Sequence, residues 1–79
     1  MDPLMELRNK IDAVDHQLMI LLDQRMELSK QVGLIKQGQR VYQPDRERQI
    51  LGYANEFTNA ALIQTVYQLI FQLSRELQG

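Results

Sequence analysis

The fold is decided by residues 3–37, PLMELRNKIDAVDHQLMILLDQRMELSKQVGLIKQ, whose apolar side chains recur at alternating steps of three and four residues. This spacing is a heptad stripe and predicts one long helix that packs in coiled-coil fashion. Arg25 stands in the stripe at a position where an apolar residue is expected. The apolar members of the stripe are Leu4, Leu7, Ile11, Val14, Leu18, Leu21, Leu28, Val32 and Ile35.

The predicted helix is too long for a globule of this size. It would rise about 50 Å, whereas a compact chain of 79 residues has a radius of gyration of about 12 Å. A chain this short also buries only about 60% of its unfolded surface, and it contains no cysteine for a disulfide. Oligomerisation is the remaining source of stability. We therefore predict a dimer in which a partner chain covers the stripe.

Composition excludes several classes of function. The net charge is −1, with nine basic and ten acidic residues interspersed, which does not fit a nucleic-acid-binding protein. The lack of cysteine and the single histidine, His16, argue against a thiolate nucleophile and against a metal site. The longest apolar run is the five residues LMILL, so we expect no signal peptide, no membrane span and a cytoplasmic protein. Residues 1–79 are predicted to form one domain.

Two shorter helices are predicted after the long one. Residues 37–45, QGQRVYQPD, form a break, with Gly38 as a helix C-cap and Pro44 opening the next helix. The second helix is predicted from Asp45 to Phe57, and Thr58 or Asn59 precedes the third. The apolar face of the third helix comprises Leu62, Val66, Leu69, Ile70, Leu73 and Leu77. The predicted fold class is all-α, with a long, a short and a medium helix in an intertwined homodimer.

Three cations lie on or beside the stripe of the first helix. Lys36 follows Arg25 by three turns on nearly the same face, and Arg8 has the same heptad position as Lys36. One interpretation of Arg25 is that a polar residue in the stripe sets register and oligomeric state. Arg8 and Lys36 are about 42 Å apart along one helix, so they cannot meet within a chain. An antiparallel pair of first helices would place Arg8 of one chain between Arg25 and Lys36 of the other, which creates two identical pockets.

The other helices supply further polar residues at compatible positions. Arg46 and Glu47 border the apolar face of the second helix, and Ser74 and Gln78 end an apolar row of the third at a spacing of i, i+4. With Gln43, they would close a cationic pocket suited to a small dianion. The sequence contains no glycine-rich phosphate loop and no base beside Ser74. The pocket therefore offers donors for binding but little means for covalent or acid–base chemistry.

Three segments, taken in order, resemble the all-helical chorismate mutases: LRNKIDAVDHQLMILLDQRMELSKQVGLIK, YQPDRERQIL and LIQTVYQLIFQLSRELQ. The resemblance covers almost the whole chain. It implies an intertwined homodimer that converts chorismate to prephenate by a Claisen rearrangement, a step towards phenylalanine and tyrosine. It also implies that no cofactor and no metal is required, because the reaction is unimolecular.

The resemblance assigns catalytic roles to five residues. Arg8 resembles an arginine that enters the partner's pocket and holds a substrate carboxylate, and Arg25 resembles the arginine of the same chain that holds the other carboxylate. Lys36 and Gln78 are similar to the lysine and glutamine that donate to the ether oxygen. Glu47 is similar to the glutamate that contacts the substrate hydroxyl.

Three further residues are expected to bind substrate by the same resemblance. Arg46 belongs to the motif at the start of the second helix, and Ser74 is similar to a serine near the ring carboxylate. Gln43 stands where some members carry an aspartate that helps to bind the hydroxyl. Because an amide both donates and accepts, we expect this departure to have a modest effect.

Two alternative functions remain at this point. An isochorismate-pyruvate lyase shares the resemblance in fold and pocket charge and differs in substrate. A non-catalytic dimerisation or regulatory domain is the alternative from another class, and it predicts that Arg25 and Lys36 can become leucine with a gain in stability and no loss of function.

Overall fold

The structure, a computed structural model, describes residues 2–35 and 43–79. Within these ranges all regular structure is helical, and there is no strand, so the predicted all-α fold is confirmed. The elements along the chain are α1 (Pro3–Ile35), α2 (Pro44–Tyr53), a 3₁₀ turn (Ala54–Glu56) and α3 (Ala60–Gln78).

Helix α1 begins where the sequence predicts. Pro3 is the first helical residue, a position where its missing N–H costs nothing. The Asp2 carboxylate accepts a hydrogen bond from the backbone N–H of Leu4 at 3.0 Å, which satisfies one of the free donors of the first turn. The predicted helix end at Gln37 and the predicted cap at Gly38 lie outside the described residues.

Helix α2 opens at Pro44 as predicted, but its predicted extension to Phe57 is wrong. The α-helix ends at Tyr53 and continues only as the 3₁₀ turn. Phe57 has φ −107° and ψ 148°, which is extended backbone, and its side chain is 57% exposed. Phe57 therefore lies outside the helix. The residue before α3 is Asn59, one of the two predicted caps, although its side chain makes no capping hydrogen bond.

The core of a single chain is small. Among the described residues, the buried hydrophobic side chains are Ala54, Ile70 and Phe71. The ring of Tyr67 packs on that of Phe71 in a tilted arrangement, with 5.7 Å between the centroids. Gln64 donates from Nε2 to the carbonyl of Leu51 at 2.9 Å and ties α3 to the end of α2. The hydrogen bond of Gln64 and the buried side chains hold α3 against its neighbours, but the buried apolar surface is small.

The heptad stripe of α1 is exposed along its whole length. Its nine apolar members range from 39% exposed at Val32 to 82% at Ile35. The chain measures 57 × 24 × 15 Å and has a radius of gyration of 15.8 Å, well above the value of about 12 Å for a compact chain of its length. The outward half of the predicted α3 face, Leu62, Val66 and Leu69, is also exposed. No helix among the described residues is long and apolar enough to cross a membrane.

Gly52, near the end of α2, provides a test of local helix stability. A Cβ atom built there meets no atom within 4 Å, so alanine would fit without displacing any neighbour. Because alanine loses less backbone entropy in a helix, we expect Gly52→Ala to raise the free energy of unfolding by about 0.5–1 kcal/mol. Urea unfolding at one fixed protein concentration measures this change. A lower midpoint would show that Gly52 has a packing role.

Candidate functional site

A cleft of about 550 Å³ lies between the three helices. Each helical segment contributes four side chains at the spacing i, i+3, i+4, i+7, which is one face of a helix. The lining residues are Arg25, Leu28, Ser29 and Val32 from α1, Gln43, Arg46, Glu47 and Ile50 from α2 and its N-cap, and Phe71, Ser74, Arg75 and Gln78 from α3. The cleft is therefore formed by three equivalent helical faces that converge on one space.

Arg25 crosses from α1 to α3. Its Nη1 donates to Oγ of Ser74 at 2.5 Å, and its Cζ lies 5.8 Å from the centroid of the Tyr67 ring and 5.9 Å from that of Phe71. The hydroxyl and the two ring faces compensate part of the cost of removing the guanidinium from water. Ser74 is itself only 7% exposed. Arg25 is thus held in a fixed orientation inside the cleft by groups of α3.

An ion pair connects α2 to α3 on another wall of the cleft. Nη1 of Arg75 donates to Oε2 of Glu47 at 2.6 Å, and these side chains are 35% and 18% exposed. A charge-assisted hydrogen bond of this kind fixes the direction of the carboxylate. Arg46 is more exposed and donates from Nη1 to Oε1 of Gln49 at 2.9 Å. The carboxylate of Glu47 is therefore positioned, whereas Arg46 borders the mouth of the cleft.

The charge of the cleft favours an anion. Among its described lining residues are three arginines and one glutamate, which leaves an excess of two positive charges. The apolar part of the lining, Leu28, Val32, Ile50 and Phe71, limits competing water. Guanidinium groups match carboxylates with paired donors. The arrangement can bind and orient a small molecule with two carboxylates. The described residues contain no group of three or more His, Cys, Asp or Glu side chains that could hold a metal ion.

The structure brings together six of the eight residues singled out in the sequence. These are Arg25, Gln43, Arg46, Glu47, Ser74 and Gln78. Arg8 lies 17 residues before Arg25 on α1, about 26 Å along the helix, and does not line the cleft of its own chain. Lys36 lies outside the described residues. The chemical roles assigned to all eight stay predictions.

Ser29 and Arg75 line the cleft but were not singled out in the sequence. Ser29 is 7% exposed and precedes Val32 by three residues. Arg75 follows Ser74 directly and is four residues after Phe71. The spacing i, i+3, i+4, i+7 that starts at Arg25 includes Ser29, and the same spacing that starts at Phe71 includes Arg75. Applying that spacing to each helix would have identified both residues.

Fold and cleft together define a small helical domain with a cationic cleft between its three helices. Residues 7–79 match the family model described as chorismate mutase type II, and the chain belongs to that family. The family predicted by the sequence is thereby confirmed.

A solved structure supports the same family assignment over nearly the whole chain. It is described as chorismate mutase from Helicobacter pylori in complex with prephenate, and it is 39% identical in sequence with a TM-score of 0.85. The match covers 98% of this chain and 91% of that one. Identity at this level over matched lengths supports a common fold.

Two curated relatives are much longer than this chain. The bifunctional chorismate mutase/prephenate dehydratase of Aquifex aeolicus is 32% identical over 89% of this chain and 22% of its own length. The T-protein of Haemophilus influenzae is 43% identical over 60% of this chain and 13% of its own length. The chain thus spans about a fifth or less of these relatives.

Proposed function

We propose that this chain catalyses the rearrangement of chorismate to prephenate without a cofactor. The observation that carries the proposal is the cleft in which Arg25, Arg46, Ser74 and Gln78 converge from three helical segments with an excess of positive charge. Family membership and the similarity to a prephenate-bound enzyme support it. The substrate is a dianion with one carboxylate on its ring and one on its enolpyruvyl side chain.

Binding would contribute to catalysis by restricting the substrate. In water the enolpyruvyl ether rotates freely, and only a compact, chair-like conformer can react. Arg25 would hold one carboxylate and Arg8 of the partner subunit the other, while Ser74 lies beside the ring carboxylate. Fixing the two ends of a flexible molecule converts a rare conformer into the bound one, so part of the entropic barrier is met by binding energy.

The remaining contribution would be electrostatic. As the carbon–oxygen bond breaks and the new carbon–carbon bond forms, negative charge grows on the ether oxygen. Gln78 is proposed to donate to that oxygen from the end of α3, together with Lys36. Preorganised donors of this kind stabilise the transition state more than the ground state. Glu47, oriented by Arg75 at 2.6 Å, would accept a hydrogen bond from the substrate hydroxyl, near Gln43 and Arg46.

The proposed enzyme is a homodimer that shares its sites. The exposed heptad stripe of α1 and the exposed apolar face of α3 support this proposal, since both would otherwise contact water. Arg8 lies about 26 Å along α1 from Arg25, which lines the cleft of its own chain. Antiparallel packing of two α1 helices would bring Arg8 to the cleft of the partner instead. Each dimer would thus contain two identical pockets.

The experiment is a direct assay of the purified protein. We expect saturable loss of chorismate, followed by its ultraviolet absorbance, with prephenate as the product. A parallel assay with isochorismate tests for release of pyruvate. Conversion of isochorismate alone would assign the lyase activity instead. A folded dimer that converts neither compound would overturn the proposal and favour a non-catalytic dimerisation or regulatory domain.

A further inference from the structure

Gly33 lies in α1 against the last turn of α3. A Cβ atom built on Gly33 would lie 2.7 Å from the carbonyl oxygen of Gln78, 2.8 Å from its Cα and 3.1 Å from its carbonyl carbon. All three are backbone atoms, so rotation of a side chain cannot relieve the contact. The two helix backbones therefore approach each other at a distance that only glycine permits.

The close approach concerns the residue that ends the α3 face of the cleft. Gln78 lines the cleft together with Val32, the immediate neighbour of Gly33. One turn earlier on α3, Ser74 is bonded to Arg25 and Arg75 to Glu47. These bonds hold the penultimate turn, and the contact with Gly33 determines how deeply the final turn packs against α1.

We propose that Gly33 is a positioning residue that sets the distance between the Gln78 side chain and the reacting ether oxygen. This inference rests on the proposed function and on the donor role of Gln78 in it. To reach ordinary contact at 3.4 Å, a Cβ at position 33 would have to move the carbonyl of Gln78 by about 0.7 Å. Catalytic groups must be placed to within about 0.5 Å. The displacement is thus large enough to spoil the hydrogen-bond geometry between the side-chain amide of Gln78 and the ether oxygen.

The central variant is Gly33→Ala, with Gly52→Ala as its matched control. Both substitutions add one methyl group to a helical glycine, but Gly52 has nothing within 4 Å. We expect Gly33→Ala to lower kcat roughly 10- to 100-fold, because misplacement by about 1 Å can have an effect of this size. KM should change less than two-fold, as the arginines are untouched. Gly52→Ala should keep the kcat and KM of the parent.

Stability provides a readout that does not depend on the proposed function. In urea unfolding at one protein concentration, Gly52→Ala should raise the midpoint and Gly33→Ala should lower it. These opposite shifts of the urea midpoint are expected even if the parent does not convert chorismate. In that case the proposed function is wrong, but the close packing of Gly33 against Gln78 is still supported. A midpoint for Gly33→Ala at or above that of the parent would overturn the inference.

A double-mutant cycle separates positioning of Gln78 from a general structural role. We expect Gln78→Ala to lower kcat, and Gly33→Ala to add less than a two-fold effect in that background, since the donor it positions is gone. If the two effects multiply, Gly33 acts through another group and the inference is wrong. Full activity of Gln78→Ala in an active parent would overturn both the donor role and the inference. Measuring all four proteins with trimethylamine N-oxide, which favours the folded state, keeps the comparison valid if Gly33→Ala is partly unfolded.

Discussion

Replacing Arg25 by alanine is expected to lower kcat/KM for chorismate by about 10²–10³-fold, because the substrate carboxylate loses the charged partner that holds the reactive conformer. Arg25 is held by Ser74 at 2.5 Å and by the faces of Tyr67 and Phe71, so its guanidinium is already oriented before substrate binds.

The fold should survive this substitution. Ser74 would lose its partner, which costs about 1–3 kcal/mol for a buried hydroxyl, but a charged group would also leave the apolar stripe, which offsets part of that cost. Circular dichroism and sedimentation would test whether the variant keeps the helix content and the oligomeric state of the parent. Arg25→Met serves as a second variant, because it keeps most of the side-chain volume without the charge and should be equally inactive.

Arg48→Ala is the matched control for the loss of an arginine. Among the described residues, Arg48 pairs with Asp45, three residues earlier on the same helix, and their side chains are 71% and 92% exposed. A pair so exposed contributes little to stability, and Arg48 does not line the cleft. We expect this variant to match the parent in kcat/KM. If Arg25→Ala were as active as Arg48→Ala, the assignment of the pocket would be wrong.

The long helix and the presence of an arginine in its apolar stripe were predictable because both depend on local periodicity. Nine apolar residues at heptad spacing predicted α1 from Pro3 onwards, and the same spacing identified Arg25 as a residue with a special environment. What the spacing could not give was the nature of that environment. The bond to Ser74 joins residues 49 positions apart, and such a contact depends on how α3 packs against α1.

The end of α2 was not predictable for a related reason. The apolar residues Ile50, Ala54 and Phe57 have helical spacing, but the chain changes to a 3₁₀ turn after Tyr53 and then to extended backbone at Phe57. Packing of Ala54, which is 5% exposed, stabilises this turn. Tertiary contact thus overrides the local pattern where a short helix has few internal hydrogen bonds.

Gly33 illustrates the same limit within a helix. Helix propensity alone treats Gly33 and Gly52 as equally unfavourable residues. Only the position of the Gln78 backbone distinguishes them, with atoms at 2.7–3.1 Å from a Cβ at position 33 and none within 4 Å at position 52. Sequence reasoning identifies the spacing of a helical face, whereas the depth at which two helices pack is a property of the folded chain.

Mixing two inactive variants should restore activity if the pocket is shared between protomers. Arg8→Ala and Arg25→Ala each remove one arginine from both pockets of their own homodimer. In a heterodimer of the two, one pocket has lost both arginines, but the other combines the intact Arg25 of one chain with the intact Arg8 of the other. Random reassociation makes half of the dimers mixed, so about a quarter of the parental pockets should be regained.

The measurement is kcat of an equimolar mixture after unfolding in urea and refolding together. Each variant refolded alone controls for activity recovered without subunit exchange, and its kcat should stay at the low value of that variant. A mixture of Arg25→Ala with Ser74→Ala is the matched negative pair, because both residues line the cleft of the same chain. In that heterodimer one pocket lacks the Arg25 side chain and the other lacks the Ser74 hydroxyl, so kcat should not exceed the average of the two variants. An increase in the first mixture alone would assign Arg8 to the partner's pocket, and no increase would show that Arg8 does not complete that pocket.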